Sequence, residues 1–169
     1  MTRPKPEPVQ VVKQRRDAAL DRLVAGIPYA AYLGVGFARR GDELTASLAY
    51  DEKLIGNPFL PAIHGGATGA FLEITAQVVL AWSVIWAMME GGGEAAERIE
   101  SGHFPQMPKT IDFTVDYLRS GLPRDAYARA EINRAGRRYA SVSVEAWQDN
   151  RDRPFAQATG HFLMPKPEA

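Results

Sequence analysis

Glu73 is the residue whose type and surroundings most favour chemistry, because it is a carboxylate inside a long apolar segment. It is the only formally charged side chain between residues 67 and 89. Burying a lone carboxylate is costly unless a second group pairs with it or a ligand uses it. Pairing with an arginine is the structural alternative, but the apolar surroundings favour a functional role for Glu73.

His64, Gly65 and Gly66 stand shortly before this carboxylate. A helix that begins at Gly65 or Gly66 presents free backbone N–H groups and the positive end of its dipole, and both stabilise developing negative charge. The two glycines also suit a tight loop entry into the helix, which is compatible with that role. His64 suits a structural role as well as a catalytic one.

A long helix must position these residues. Apolar residues repeat at helical spacing from residue 67 to residue 89, and Gly91-Gly92-Gly93 ends the pattern. A segment that is apolar nearly all round is typical of a helix buried at the centre of a fold. Residues 78–89 are too short to span a bilayer, and a span of about 20 residues would bring Glu73 and Gln77 into the membrane.

The remaining pattern predicts one more helix and a run of strands. The helix is expected over residues 11–24, where Gly26 and Pro28 stop it. Alternation predicts strands over residues 33–39, 43–50, 111–117, 126–132, 140–146 and 155–163, with a loop over 51–62 and a polar connection from 91 to about 107. This order predicts an α+β fold, and the alanine-rich strand faces suit an antiparallel sheet that curves closely around a bulky helix.

Length and composition limit the classes of protein. The 169 residues predict one domain over residues 11–164, between a disordered lead-in at 1–10 and a tail at 165–169. Lys and Arg together number 20, as do Asp and Glu, so no net charge directs the chain to nucleic acid or to an anionic membrane. The first eight residues lack the apolar centre of a signal peptide, so we expect a cytoplasmic protein.

Two kinds of chemistry are excluded or disfavoured by residue type. The chain has no cysteine, which excludes thiolate nucleophiles, disulfides and cysteine-ligated metals. Its three histidines lack metal-ligand spacing. We therefore expect neither a metal nor a redox cofactor.

Several short motifs follow one another from about residue 27 to residue 164. They are Ile27-Pro28-Tyr29, Leu33-Gly34, Asn57, His64-Gly65-Gly66 followed by Glu73, and the strand Ile111-Asp112-Phe113-Thr114-Val115-Asp116-Tyr117-Leu118-Arg119. In this order, and with this order of elements, the chain resembles the hotdog-fold acyl-CoA thioesterases, specifically their PaaI-like (phenylacetate-pathway type) branch. The resemblance implies a hotdog fold, in which a curved antiparallel sheet wraps around one long central apolar helix, with an N-terminal helix added.

The resemblance also implies roles for individual residues. Gly65 would donate its N–H to the thioester carbonyl oxygen and hold the oxyanion, and Glu73 would be the nucleophile or the base that activates water. His64 and Asn57 would shape and polarise the site. The residues expected to contact substrate or water are Gly66, Gln77 and Thr110.

The spacing of Gly65 and Glu73 adds a constraint. Eight residues of helix separate them by roughly 12 Å, so one thioester carbonyl cannot lie within hydrogen-bond range of both. We therefore expect Glu73 to act on an acyl-CoA held by Gly65 of a second subunit, in a homodimer or homotetramer. Two other functions stay open on the same fold, a non-catalytic acyl-CoA-binding module and a hotdog hydratase or dehydratase.

Overall fold

The computed structural model describes residues 7–166. Residues 1–6 of the predicted lead-in and residues 167–169 of the predicted tail lie outside the described residues. Val9 and Gln10, which the sequence placed in the lead-in, are the first two residues of a helix. The N-terminal helix therefore begins two residues earlier than its apolar pattern indicated.

The described residues contain four α-helices. They are α1 (Val9–Ala25), α2 (Pro28–Leu33), α3 (Gly65–Gly91) and α4 (Gly93–Glu100). α1 and α3 confirm the two predicted helices, and α3 begins at Gly65 as expected. Pro28 occupies the first turn of α2, where its missing N–H costs no hydrogen bond.

Six strands form one antiparallel sheet. They are β1 (Val35–Arg40), β2 (Glu43–Leu48), β3 (Lys109–Tyr117), β4 (Ala126–Ala135), β5 (Tyr139–Trp147) and β6 (Ala156–Leu163), in the order β1-β2-β4-β5-β6-β3. The predicted α+β fold, with an antiparallel sheet and a long central helix, is thereby confirmed. Within this sheet β3 is an edge strand, so one side of its backbone has no partner strand in the described chain.

Helix α3 forms the centre of the core. It packs against β2, β3, β4, β5 and β6. Phe71, Trp82 and Ile85 of α3 are buried, and small side chains face the helix from the strands: Ala126, Ala128, Ala140, Ala146, Ala156 and Ala158. In residues 7–166, α3 is the one helix with the length and composition to cross a membrane, and its burial against the sheet identifies it as the core helix.

Two helices depart from the predicted pattern. Leu33, expected to begin a strand, ends α2, and Gly34 at φ +80° then turns the chain into β1. Residues 93–100, expected to be part of a polar connection, form α4. Gly92 lies just before α4 and Gly93 is its first residue. Both have positive φ values, and glycines with positive φ normally end helices. Ala95, Ala96 and Ile99 do lie at helical spacing on one face of α4, but the run is short, only Ile99 of it is fully buried, and three glycines precede it.

The N-terminal helix is held to α3 by stacked and charged groups. The Arg16 guanidinium lies 4.1 Å from the centroid of the Trp86 ring and forms an ion pair with Glu90. Arg39 of β1 lies over the same ring and pairs with Asp17. Burial, together with the nearby charges of other arginines, lowers the pKa of Arg16 from its usual value. These contacts tie α1 to the second half of α3, where cation–π contacts are partly shielded from water.

The packing of α4 can be tested at Ile99, whose side chain is fully buried. Replacing Ile99 by alanine removes the only buried side chain of that helix, so Ile99→Ala should lower the free energy of unfolding by about 2–5 kcal/mol. Urea unfolding followed by circular dichroism measures the change. Glu97→Ala, on the exposed side of the same helix, should change it by less than about 0.5 kcal/mol. Equal effects of the two substitutions would show that α4 does not pack as described.

Candidate active site

The N-terminus of α3 is capped by the side chain of His64. The Nδ1 atom of His64 accepts a hydrogen bond from the Gly66 N–H at 2.9 Å. An accepting Nδ1 assigns the proton of a neutral imidazole to Nε2, which leaves Nε2–H as an available donor. Within residues 7–166 the Gly65 N–H donates to no protein acceptor. Of the two predicted glycines, Gly65 is therefore the one whose N–H is open to a ligand, because the cap engages that of Gly66.

Backbone hydrogen bonds join the two ends of the loop before α3. The His64 N–H donates to the Leu54 carbonyl at 2.7 Å, and the Gly56 N–H donates to the Ala62 carbonyl at 3.1 Å. Gly56 also lies directly against His64, since a Cβ built at Gly56 would be 2.5 Å from His64 Cδ2. The backbone hydrogen bond of His64 therefore holds the residue in place, and the lack of a side chain at Gly56 leaves room for its ring.

Asn57 follows Gly56 and lies in the exposed part of this loop. Its Oδ1 accepts a hydrogen bond from the Phe59 N–H at 2.9 Å, a local turn contact. Among the described residues it has no hydrogen bond to His64, Gly65 or Glu73. Phe59 and Leu60, which continue the loop, are 92% and 72% exposed. Asn57 is thus connected to His64 through its neighbour Gly56, and within residues 7–166 no hydrogen bond joins the two side chains.

Glu73 is half-buried and has a hydroxyl partner. The Thr110 hydroxyl donates to Glu73 Oε1 at 2.5 Å, and Gln77 Nε2 donates to Thr110 Oγ1 at 3.1 Å. Gln77 is thus the donor and Glu73 the final acceptor, an arrangement that suits an ionised carboxylate. Within residues 7–166 Glu73 forms no ion pair, so the structural alternative of an arginine partner is not realised there. Three of the predicted residues are brought together here.

An irregularity in β3 makes this contact possible. Thr110 lies opposite Phe162 of β6 and Asp112 lies opposite His161, which leaves Ile111 without a partner. This extra residue is a β-bulge, and it turns Thr110 to the face that carries Phe113 and the buried Phe162. In a regular strand Thr110 and Phe113 would point to opposite faces. The bulge therefore directs the Thr110 hydroxyl toward α3.

Tyr117 is a site residue that the sequence analysis missed. Its hydroxyl donates to the Gly65 carbonyl at 2.7 Å, and a Cβ built at Gly65 would lie 3.3 Å from the Tyr117 ring. Tyr117 therefore fixes the peptide group between Gly65 and Gly66. The available signal was its position at the end of the alternating pattern of β3, on the face of Phe113 and Val115.

The predicted residues form two separate groups on one chain. Gly65, Gly66 and His64 lie at the start of α3, and Glu73 lies eight residues later on the same uninterrupted helix, about 12 Å away along its axis. Each group has its own contact with β3, Tyr117 for the first and Thr110 for the second. Residues 7–166 contain no cluster of three or more His, Asp or Glu side chains that could hold a metal ion. The groups that these two clusters present are a carboxylate, a backbone N–H donor and an imidazole.

Comparisons with known proteins point to one family. The model of the thioesterase superfamily matches residues 60–155, which is more than half of the chain and includes both groups. A Salmonella typhimurium protein named medium/long-chain acyl-CoA thioesterase YigI is 27% identical over 147 residues, which are 85% of this chain and 90% of that protein. A solved structure from Chromobacterium violaceum is 32% identical, with a TM-score of 0.62 and coverage of 94% of this chain and 98% of that chain. A Shewanella oneidensis structure related to the thioesterase superfamily has a TM-score of 0.68 at 23% identity and covers 88% and 96% of the two chains.

The contact between Gly56 and His64 leads to a prediction. In Gly56→Ala, the new methyl group must displace His64, because no Cβ can lie 2.5 Å from its ring carbon. We expect a loss of about 1–3 kcal/mol in the free energy of unfolding and a change in the NMR shifts of the His64 ring. Gly91→Ala is the matched control, since a Cβ there meets nothing within 4 Å. Unchanged His64 signals in Gly56→Ala would contradict the described packing.

Proposed function

This chain belongs to the thioesterase superfamily and is a thioester hydrolase, and on that premise we propose that it hydrolyses acyl-CoA to a free acid and coenzyme A, with Glu73 and Gly65 as its central residues. One observation carries the proposal. Glu73, half-buried on the core helix, is oriented by the Thr110 hydroxyl, and its other carboxylate oxygen has no protein partner in residues 7–166.

Glu73 has two routes to the same products. As a base, it takes a proton from water while the water oxygen bonds to the thioester carbon. As a nucleophile, it bonds to that carbon itself and forms an anhydride that water then cleaves. Both routes pass through a tetrahedral intermediate, which collapses by breaking the C–S bond and leaves coenzyme A to take up a proton.

The Gly65 N–H stabilises the negative oxygen of that intermediate. It lies at the N-terminus of a 27-residue helix, so the helix dipole adds to the effect of the hydrogen bond. His64 Nε2–H supplies a second donor to the thioester or to water, and Gly66 contributes by holding His64 in that orientation. Asn57 is the more peripheral member of the site, on the loop that leads into the helix.

The two groups meet across a subunit interface in this proposal. In one chain Tyr117 contacts Gly65 and Thr110 contacts Glu73, at opposite ends of the edge strand β3. Antiparallel pairing of two β3 edges would set the Thr110 end of one strand beside the Tyr117 end of its partner. Glu73 of one subunit would then face Gly65 of the other. The enzyme is accordingly a homodimer, or a tetramer built from such dimers.

The acyl group, the location and the domain limits complete the proposal. The name of the Salmonella typhimurium relative refers to medium and long acyl chains, and we assign this chain the same substrate class. The single domain over residues 11–164 and the cytoplasmic location, expected from the sequence, stay predictions.

The role of Glu73 is tested by substitution. Glu73→Gln and Glu73→Ala should lower kcat for lauroyl-CoA by about 100-fold or more, because neither side chain can accept a proton or attack the thioester. Release of free thiol measures the rate. Wild-type activity in Glu73→Ala would end the proposal, and tight acyl-CoA binding by a wild-type protein without turnover would identify a binding module instead.

The Thr110 hydrogen bond gives a finer test. Thr110→Val keeps the shape of the side chain but removes its hydroxyl, so kcat should fall by about 5–50-fold through loss of one hydrogen bond to a charged group. Thr110→Ser keeps the hydroxyl and should stay within about threefold of the wild type. A Val variant as active as the Ser variant would show that the contact does not orient Glu73.

The shared site predicts complementation between inactive variants. Gly65→Pro removes the N–H donor at a helix position that accepts proline, and Glu73→Ala removes the carboxylate. Each should be inactive alone, and unfolding and refolding them together in equal amounts should restore about a quarter of the wild-type activity, in heterodimers with one intact site. Gly65→Ala, which keeps its N–H, is the control for bulk at this position. A mixture as inactive as its parts would contradict a site shared between Gly65 of one subunit and Glu73 of the other.

A further inference from the structure

A large cavity lies beyond Gln77, toward the C-terminal end of α3. Its volume is about 1090 Å³. It is bounded by the second half of α3, by α4, by the segment after α4 and by the ends of β3 and β6. We call it the α4 cavity; the apolar side chains that line it are Val84, Met88, Ala95, Pro105, Met107, Leu163, Met164 and Pro165.

We propose that the α4 cavity receives the distal part of the acyl chain of the substrate. This inference rests on the proposed function, because it takes Glu73 as the group that acts on the thioester. It assigns chain-length selection to Val84 and Met88, which have no part in the chemistry.

The cavity lies in line with the candidate carboxylate along α3. Val84 is eleven residues after Glu73, which places it about 20° away around the helix axis and about 16 Å along it. Met88 is one further turn along the same side. At the other wall, Lys109 borders the cavity and adjoins Thr110, whose hydroxyl contacts Glu73. Because about 16 Å of helix separates Glu73 from Val84, an acyl chain whose thioester lies at Glu73 can reach Val84 only if it is long.

The chemistry of the lining suits an alkyl tail. Val84, Met88, Met107 and Met164 are half-buried. The charged residues of the lining are all exposed: Glu94, Arg98, Lys109, Arg137 and Lys166. Three methionines in one cavity provide flexible thioether side chains that adapt to tails of different length. The apolar residues thus form the inner surface, and the lysine and arginine stems cover its edge.

A second cavity does not suit the alkyl tail of the substrate. It has a volume of about 240 Å³ and is lined in part by Arg119, Arg124 and Arg153. It adjoins the other end of α3, since the Ile63 N–H before the helix donates to the Gly121 carbonyl beside it. Its small size and three arginines disfavour an alkyl chain, so of the two cavities the α4 cavity is the one that fits.

Binding of non-hydrolysable thioethers tests the proposal apart from catalysis. S-tetradecyl-coenzyme A carries a long tail and S-butyl-coenzyme A a short one, and both lack the carbonyl. Val84→Trp and Met88→Trp should each weaken binding of the tetradecyl compound at least about tenfold, because the indole fills space that the tail would occupy. The same variants should bind the butyl compound within about twofold of wild type, which also shows that they are folded. Calorimetry measures both dissociation constants.

Two controls separate the tail from other occupants. Ala87→Trp adds the same bulk at an exposed position outside the cavity and should leave both dissociation constants unchanged. Arg137→Glu reverses a charge at the rim and should also change them little. If Arg137→Glu weakened both compounds equally, the cavity would hold the phosphate-bearing end of coenzyme A, and the proposal would be overturned.

The wild-type protein provides a test that needs no folded variant. With methyl-labelled methionine, the signals of Met88, Met107 and Met164 should shift on addition of S-tetradecyl-coenzyme A and should stay unchanged with S-butyl-coenzyme A. Equal shifts with both compounds, or none with the longer one, would refute the proposal. Thioester hydrolysis is measured separately, so a protein without turnover would contradict the proposed function while this experiment still decides the occupant of the cavity.

Discussion

The rigidity of one buried helix governs both the fold and the candidate site. Helix α3 runs without a break from Gly65 to Gly91, and Phe71 and Leu72, which lie between Gly65 and Glu73, are fully buried. Bending the helix to bring Gly65 toward Glu73 would break its hydrogen bonds and open the centre of the core. The separation of about 12 Å is therefore a property of the core as much as of the site. In the proposed mechanism, a site that uses both Gly65 and Glu73 would therefore combine groups from two copies of this helix.

The same helix has to carry polar groups through an apolar core. Glu73 and Gln77 are accommodated because they face β3. There the Thr110 hydroxyl accepts a hydrogen bond from Gln77 and donates one to Glu73. The hydroxyl can do so only because the bulge at Ile111 reverses the direction of Thr110. By turning the Thr110 hydroxyl toward Glu73, the bulge at Ile111 thus offsets the free-energy cost of placing a carboxylate next to the core. Because Thr110 contacts only one carboxylate oxygen, the other stays open for chemistry.

Most of the fold could be predicted from the sequence, because apolar periodicity directly reports which faces are buried. The core helix, its start at Gly65 and the antiparallel strands followed from that pattern. Helix α4 carries the same kind of pattern in Ala95, Ala96 and Ile99, but this short run beside three glycines was predicted to be a polar connection. The positions of Glu73 and Gly65 on one helix were also accessible from spacing alone. The bulge and the contact of Tyr117 with Gly65 were not, because alternation shows the face on which Tyr117 lies but does not report register between strands.

The position of β3 at the sheet edge gives a physical reason for assembly. An edge strand with free backbone groups favours pairing with another strand unless something covers it. Ile111 and Tyr117, near the two ends of this strand, are more than half exposed, as are Phe59 and Leu60 on the loop before α3. Exposed apolar side chains on an unpaired edge strand favour an interface there. The strand that would gain most from pairing is thus the strand that orients Glu73 and supports Gly65, so assembly and completion of the proposed site would occur through the same contact.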